Sequence, residues 1–155
     1  MTSGVRTSAL VALAVAALAG CGGGSDGDPT TFGRAADRTC RDLSAAVTTL
    51  RQDLVRTTAS TEQAGLATAL QRYSDGVRRA ADRLADTKAP KADAAFRTST
   101  LEGLRRHADA MHAAAVQGRR GKVATALAEE VRGAGLPEIP ARVLEDAPDC
   151  RRTGD

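Results

Sequence analysis

Apolar side chains recur along this chain at alternating steps of three and four. In residues 32–57 they fall at Ala36, Cys40, Leu43, Val47, Leu50 and Leu54, with Arg38, Arg41, Asp42, Arg51, Asp53 and Arg56 between them. That spacing puts one apolar stripe and one polar face on an α-helix. A second stripe runs through Leu66, Leu70, Tyr73, Val77, Ala81 and Leu84, predicting a helix that ends near Asp86. Ser60 and Gln63 before it have the spacing of a capping box, in which each side chain bonds the other's backbone N–H. Pro90 then disfavours helix in the residue before it. A third stripe, Leu101, Leu104, Ala108, Met111 and Ala115, predicts a helix over 91–117. Val123, Leu127 and Val131 predict a shorter fourth one over 122–132, ended by Gly133 and Gly135 and kept from resuming by Pro137 and Pro140. Leu136, Ile139, Val143 and Leu144 give the tail enough apolar surface to fold back, with a short helical turn over 141–146. No stretch alternates with the period of two that a strand needs.

Long amphipathic helices joined by short loops favour antiparallel neighbours. The fold expected is therefore all-α: an up-down antiparallel four-helix bundle with an ordered C-terminal tail. A three-helix bundle with an appended C-terminal hairpin is the nearest alternative. The domain should span 32–150, with 151–155 left as a disordered end.

The first thirty residues differ in kind from the rest. Residues 1–8 carry one positive side chain, Arg6, and 9–18 form an unbroken apolar run of ten residues. That run matches the apolar part of a signal peptide and is about half of the ~20 residues that a spanning helix needs. It ends in Leu18-Ala19-Gly20-Cys21, which resembles the lipobox of bacterial lipoproteins. The resemblance covers about twenty residues; beyond them the chain is similar only loosely to small helical lipoproteins of unassigned role. It implies removal of residues 1–20, a diacylglyceryl group on the Cys21 sulfur, and export by a Sec-type signal to the outer face of the cytoplasmic membrane. A single acyl chain holds a protein marginally and two hold it stably. Residues 22–31 (GGGSDGDPTT) offer nothing apolar to bury and are expected to be a disordered tether with an r.m.s. reach of roughly 17 Å.

That compartment changes the meaning of the other two of the three cysteines. Cys40 and Cys150 lie near the two ends of the folded region in an oxidising environment, and Cys40 sits on the first apolar stripe. A structural disulfide between them is expected, with two buried thiols or intermolecular pairing as the alternatives.

Little in the chain points to catalysis or to a cofactor. The net charge is +3 and no long basic run suggests nucleic acid. The aromatic residues are Phe32, Tyr73 and Phe96, with no Trp, so stacking platforms and aromatic cages are hard to build. His107 and His112 are five apart on one predicted helix, some 140° around its axis. Metal pairs on a helix want three or four. Met111, four after His107, could serve as a soft ligand, but it lies on the apolar stripe. Di-iron Glu-x-x-His pairs and Cys-x-x-Cys-His haem attachment are absent. Ser44, Ser60, Ser74 and Ser99 occupy no nucleophile elbow. Neither an enzyme nor a cofactor protein is expected.

One charged cluster stands apart. Arg119, Arg120 and Lys122 crowd into a predicted loop without intervening acids. Such a loop is either ordinary solvated surface or a contact for anionic lipid headgroups or acidic wall polymers. The leading expectation is a membrane-anchored, non-catalytic interaction or structural module that meets an envelope protein through a helix face. The alternatives are a carrier holding a lipid or small apolar ligand between its helices, and a metal-handling lipoprotein using His107, Met111 and His112.

Overall fold

In a computed structural model, the structure describes residues 26–58, 63–120 and 137–152. They are helical, with no strand among them. Three long helices, α1 (Pro29–Thr58), α2 (Gln63–Ala85) and α3 (Ala94–Gly118), are followed by two short ones, α4 (Ala141–Glu145) and α5 (Pro148–Arg152). The expected signal peptide, Cys21, Ser60 and the predicted fourth helix lie outside the described residues.

The first helix starts three residues earlier than its stripe predicts, and Asp28 is the reason. Its carboxylate accepts from the Thr31 N–H at 2.7 Å while its carbonyl accepts from Phe32 at 2.9 Å. Asp28 is thus the N-cap, and Pro29 follows at the first helical position, where its missing N–H costs nothing. The expected tether through Thr31 is corrected accordingly: from Asp26 onward the chain belongs to the fold.

The long helices run in alternating directions. Asp53 meets Arg72 and Asp42 meets Arg83, so α1 and α2 are antiparallel. Gln71 meets His112, Ser74 meets Ala108, and Arg97 reaches the end of α2, so α2 and α3 are antiparallel too. Lying between the other two, α2 buries residues around much of its circumference: Ala67, Leu70, Ser74, Val77, Ala81 and Leu84 at alternating spacing, with Ala69 and Ala80 beside them. Its end is capped from another helix. Arg97 donates through Nε to the Thr87 carbonyl at 2.9 Å and through Nη2 to that of Ala85, serving carbonyls the last turn leaves without partners. Beyond Pro90 the chain makes one 3-10 turn, Lys91–Asp93, before α3, so the α-helix begins at Ala94 rather than Lys91.

The core gathers at the Pro90 end. Phe32, Ala35 and Ala36 of α1 pack with Val77, Ala81 and Leu84 of α2, Leu101, Leu104 and Ala108 of α3, and Val143, Ala147 and Cys150 of the tail. Phe32 and Phe96 meet edge to face, ring centroids 6.4 Å apart, a favoured aromatic geometry. A smaller cluster of Leu70, Met111, Ala114 and Ala115 lies toward the other end. The tail packs back as expected, but in two helices rather than one turn. Arg151 and Arg152 extend α5 instead of joining a disordered end. Gly33 lets the tail approach, since a Cβ there would lie 2.4 Å from the Asp146 Cβ.

Candidate functional site

The tail is held to the bundle by one covalent and two ionic clamps. Cys40 and Cys150 form a disulfide, with Cα atoms 5.1 Å apart. Beside it, the buried Asp37 carboxylate accepts from the Asp149 N–H at 2.7 Å through one oxygen and from Arg41 at 2.8 Å through the other. One carboxylate on α1 therefore caps the start of α5, and Arg41 closes the triangle by donating to Asp149 at 2.9 Å. These bonds, to Asp149 first and to Asp37 second, shift the Arg41 guanidinium further toward its charged form. At the other side of the tail, Arg142 binds the buried Asp93 carboxylate and the Ala92 carbonyl. The i, i+4 spacing of Asp37 and Arg41 is visible in the sequence; nothing local marks Asp93 as the partner of a residue 49 positions on.

Under the clamped tail lies an apolar cavity of about 110 Å³, lined by Ala36, Leu43, Leu84, Phe96, Leu104 and Ile139 among others, with the disulfide in its wall. Thr100 also lines it, and its buried hydroxyl has no hydrogen-bond partner among the described residues. Ligand sites for drug-sized molecules run to roughly 300–1,000 Å³, and a cavity of about 150 Å³ takes benzene. This cavity therefore suits a very small apolar molecule and is far too small for a lipid acyl chain. Sequence spacing could not reveal it, because its walls come from α1, α2, α3 and the tail together.

The histidine-bearing seam between α2 and α3 is a series of separate hydrogen bonds. His107 Nε2 and the Tyr73 hydroxyl are 3.1 Å apart, with the two rings edge to face at 5.6 Å. Burial pushes the Tyr73 hydroxyl's pKa up. His112 Nδ1 meets Gln71 Oε1 at 2.8 Å, and Gln71 donates onward to Asp75 at 3.0 Å. Met111 points instead into the apolar cluster with Leu70. The three possible ligands thus diverge rather than converge. Among the described residues no group of three His, Cys, Asp or Glu could hold a metal ion. Ser74 is buried and donates to the Ala108 carbonyl at 2.7 Å, while Ser44 and Ser99 are exposed.

A shallow groove of about 390 Å³ runs between α1 and α2 over a floor of Ala45, Ala46, Thr49 and Gly76. Arg72, Arg79 and Arg83 line it, together with Asp42 and Asp75. Arg72 is paired with Asp53 and Arg83 with Asp42, so much of its positive charge is neutralised internally. Arg119 and Arg120 are exposed just past the end of α3, their N–H groups bonding the Ala115 and Gln117 carbonyls. Lys122, like Cys21, lies outside the described residues. No protein-family model, curated protein or solved structure matches the chain.

Proposed function

We propose that this protein is a lipoprotein of the cell envelope, anchored through Cys21 to the outer face of the cytoplasmic membrane, and that its helical domain is a non-catalytic interaction or structural module. The observation that carries this reading is the order of features at the N-terminus. A one-arginine leader, a ten-residue apolar run and Leu18-Ala19-Gly20-Cys21 stand before a helical body whose first helix begins at Pro29. A disulfide between Cys40 and Cys150 fits the oxidising side of the membrane. No helix among the described residues is long and apolar enough to cross a bilayer; on this reading the lipid on Cys21 supplies the attachment. Separated histidines and structurally engaged Ser74 favour a module that binds over one that reacts.

The bundle is proposed to be completed by residues 122–132. Since α1 and α3 both pack on α2, a fourth amphipathic helix carrying Val123, Leu127 and Val131 would close the seam between them and give the up-down four-helix order. Its partner would be an envelope protein or an anionic wall polymer. A carrier of a very small apolar ligand is the second reading, favoured by the cavity beside Thr100; its volume weighs against a lipid cargo.

The test is metabolic labelling with an alkyne fatty acid in a bacterial host. The natural chain should carry the label and sediment with membranes, and Cys21→Ala should lose both properties. A natural chain recovered unlabelled in the soluble fraction would refute the anchor.

A further inference from the structure

We infer that the turn end of the bundle, residues 86–93, faces the membrane, and that the end bearing Arg119 and Arg120 points away from it. This inference rests on the lipid anchor proposed above and adds an orientation to it. The reason lies in where the chain enters the fold. Asp26 accepts through its carboxylate from the Lys91 N–H at 3.1 Å. Gly27 crosses so close to the α2–α3 turn that a Cβ on it would lie 2.2 Å from the Lys88 carbonyl oxygen. Asp28 then caps α1. The tether is therefore not the ten-residue span that composition alone allows. Five residue steps separate Cys21 from Asp26, a reach of at most about 18 Å however the chain runs.

The Arg119 end is a helix length away. The 25 residues of α3 rise by about 37 Å, twice the longest reach of the tether. Arg119 and Arg120 could meet headgroups only if the domain lay flat, held there by charge through side arginines such as Arg38, Arg51, Arg105 and Arg106. Among the described residues the one exposed large apolar side chain is Val55, near the far end of α1. At the near end, exposed Lys88 and Lys91 stand beside exposed Asp26 and Asp86, so attraction to anionic lipid is small. The short attachment at one end sets the orientation. The surface that would meet headgroups is the Pro90 turn, and Arg119 and Arg120 become available to an acidic polymer or protein beyond the membrane.

Lipid on Cys21 and the Cys40–Cys150 disulfide would leave no free thiol, so one added cysteine can be labelled specifically. Full-length lipidated Ala92→Cys and Arg119→Cys, each carrying a maleimide fluorophore, would be reconstituted into phosphatidylglycerol/phosphatidylethanolamine vesicles containing an acceptor lipid. Ala92 and Arg119 are both exposed, and Ala95→Cys with Arg120→Cys provides a second pair. The rate of energy transfer should be at least about threefold greater at 92 than at 119, since their heights differ by about a helix length. Equal or reversed rates would overturn the orientation while leaving the anchor intact. Maleimide labelling of Cys21 in the unsubstituted chain, with no vesicle association, would instead overturn the anchor and the orientation together.

Discussion

Reducing the disulfide should cost this protein much of its stability, and the amount follows from chain topology. Cys40 and Cys150 are 110 residues apart, so the bond closes nearly the whole folded chain into one loop. In the chain-entropy account, releasing a loop of that size gives the unfolded state about 4–5 kcal/mol. Small domains have only about 5–15 kcal/mol in total. With a urea dependence of about 2 kcal/mol per molar, the unfolding midpoint should fall by about 2 M. The experiment is urea denaturation followed by far-UV circular dichroism, with and without a thiol reductant, beside a Cys40→Ala/Cys150→Ala variant that should match the reduced protein. After reduction the tail still has Val143 and Ala147 buried, Asp37 on the Asp149 N–H and Arg142 on Asp93. The helices should therefore persist at low urea, in a less stable native state. A midpoint that moves by less than about 0.5 M would refute the reasoning, because it corresponds to only about 1 kcal/mol at that slope.

Other substitutions test single contacts. Gly33→Val should destabilise by about 1–3 kcal/mol through forced overpacking, because even the Cβ meets Asp146 at 2.4 Å; unchanged urea stability would show that the tail does not rest on α1 there. Thr100→Val should stabilise by about 1 kcal/mol, since it keeps the shape and removes a buried hydroxyl without a partner among the described residues; a loss of stability would show that the hydroxyl has a partner after all. The Asp28 carboxyl is held below the usual carboxylate range, first by its side-chain hydrogen bond with Thr31. Its contribution is thus present above the unfolded carboxylate pKa and lost as pH falls through the lower folded value. Amide exchange at Thr31 and Phe32, corrected for intrinsic rates, should lose protection across that acid window, and Asp28→Ala should abolish the transition. A pH-independent protection factor would rule out the cap.

Local chemistry made much of the architecture legible. The alternating steps of three and four mark the faces that α1, α2 and α3 bury, because helix geometry alone puts such residues on one side. Pro90 marks the break between α2 and α3 for an equally local reason, its restriction on the preceding backbone. The returning tail and its disulfide were legible from Ile139, Val143 and Leu144 around and after the prolines at 137 and 140, and from one cysteine at each end of the folded region. The candidate site was much less so. Thr100, a polar residue four before Leu104 on the same face, lines an apolar cavity, and Ser74, between two stripe positions, is buried against the Ala108 carbonyl.

The sequence by itself determined the helical class and the approximate extent of the long helices, because each depends on spacing within one element, and it made the pairing of tail to first helix an expectation that the Cys40–Cys150 disulfide meets. Only the tertiary structure decided that α2 is the central helix, that Asp26 and Gly27 belong to the fold, and that three buried aspartates act as clamps. Asp53 with Arg72, Asp93 with Arg142 and Asp37 with Asp149 are separated by 19, 49 and 112 residues. Such partners exist only once packing has brought two faces together, and no periodicity within either segment encodes that meeting.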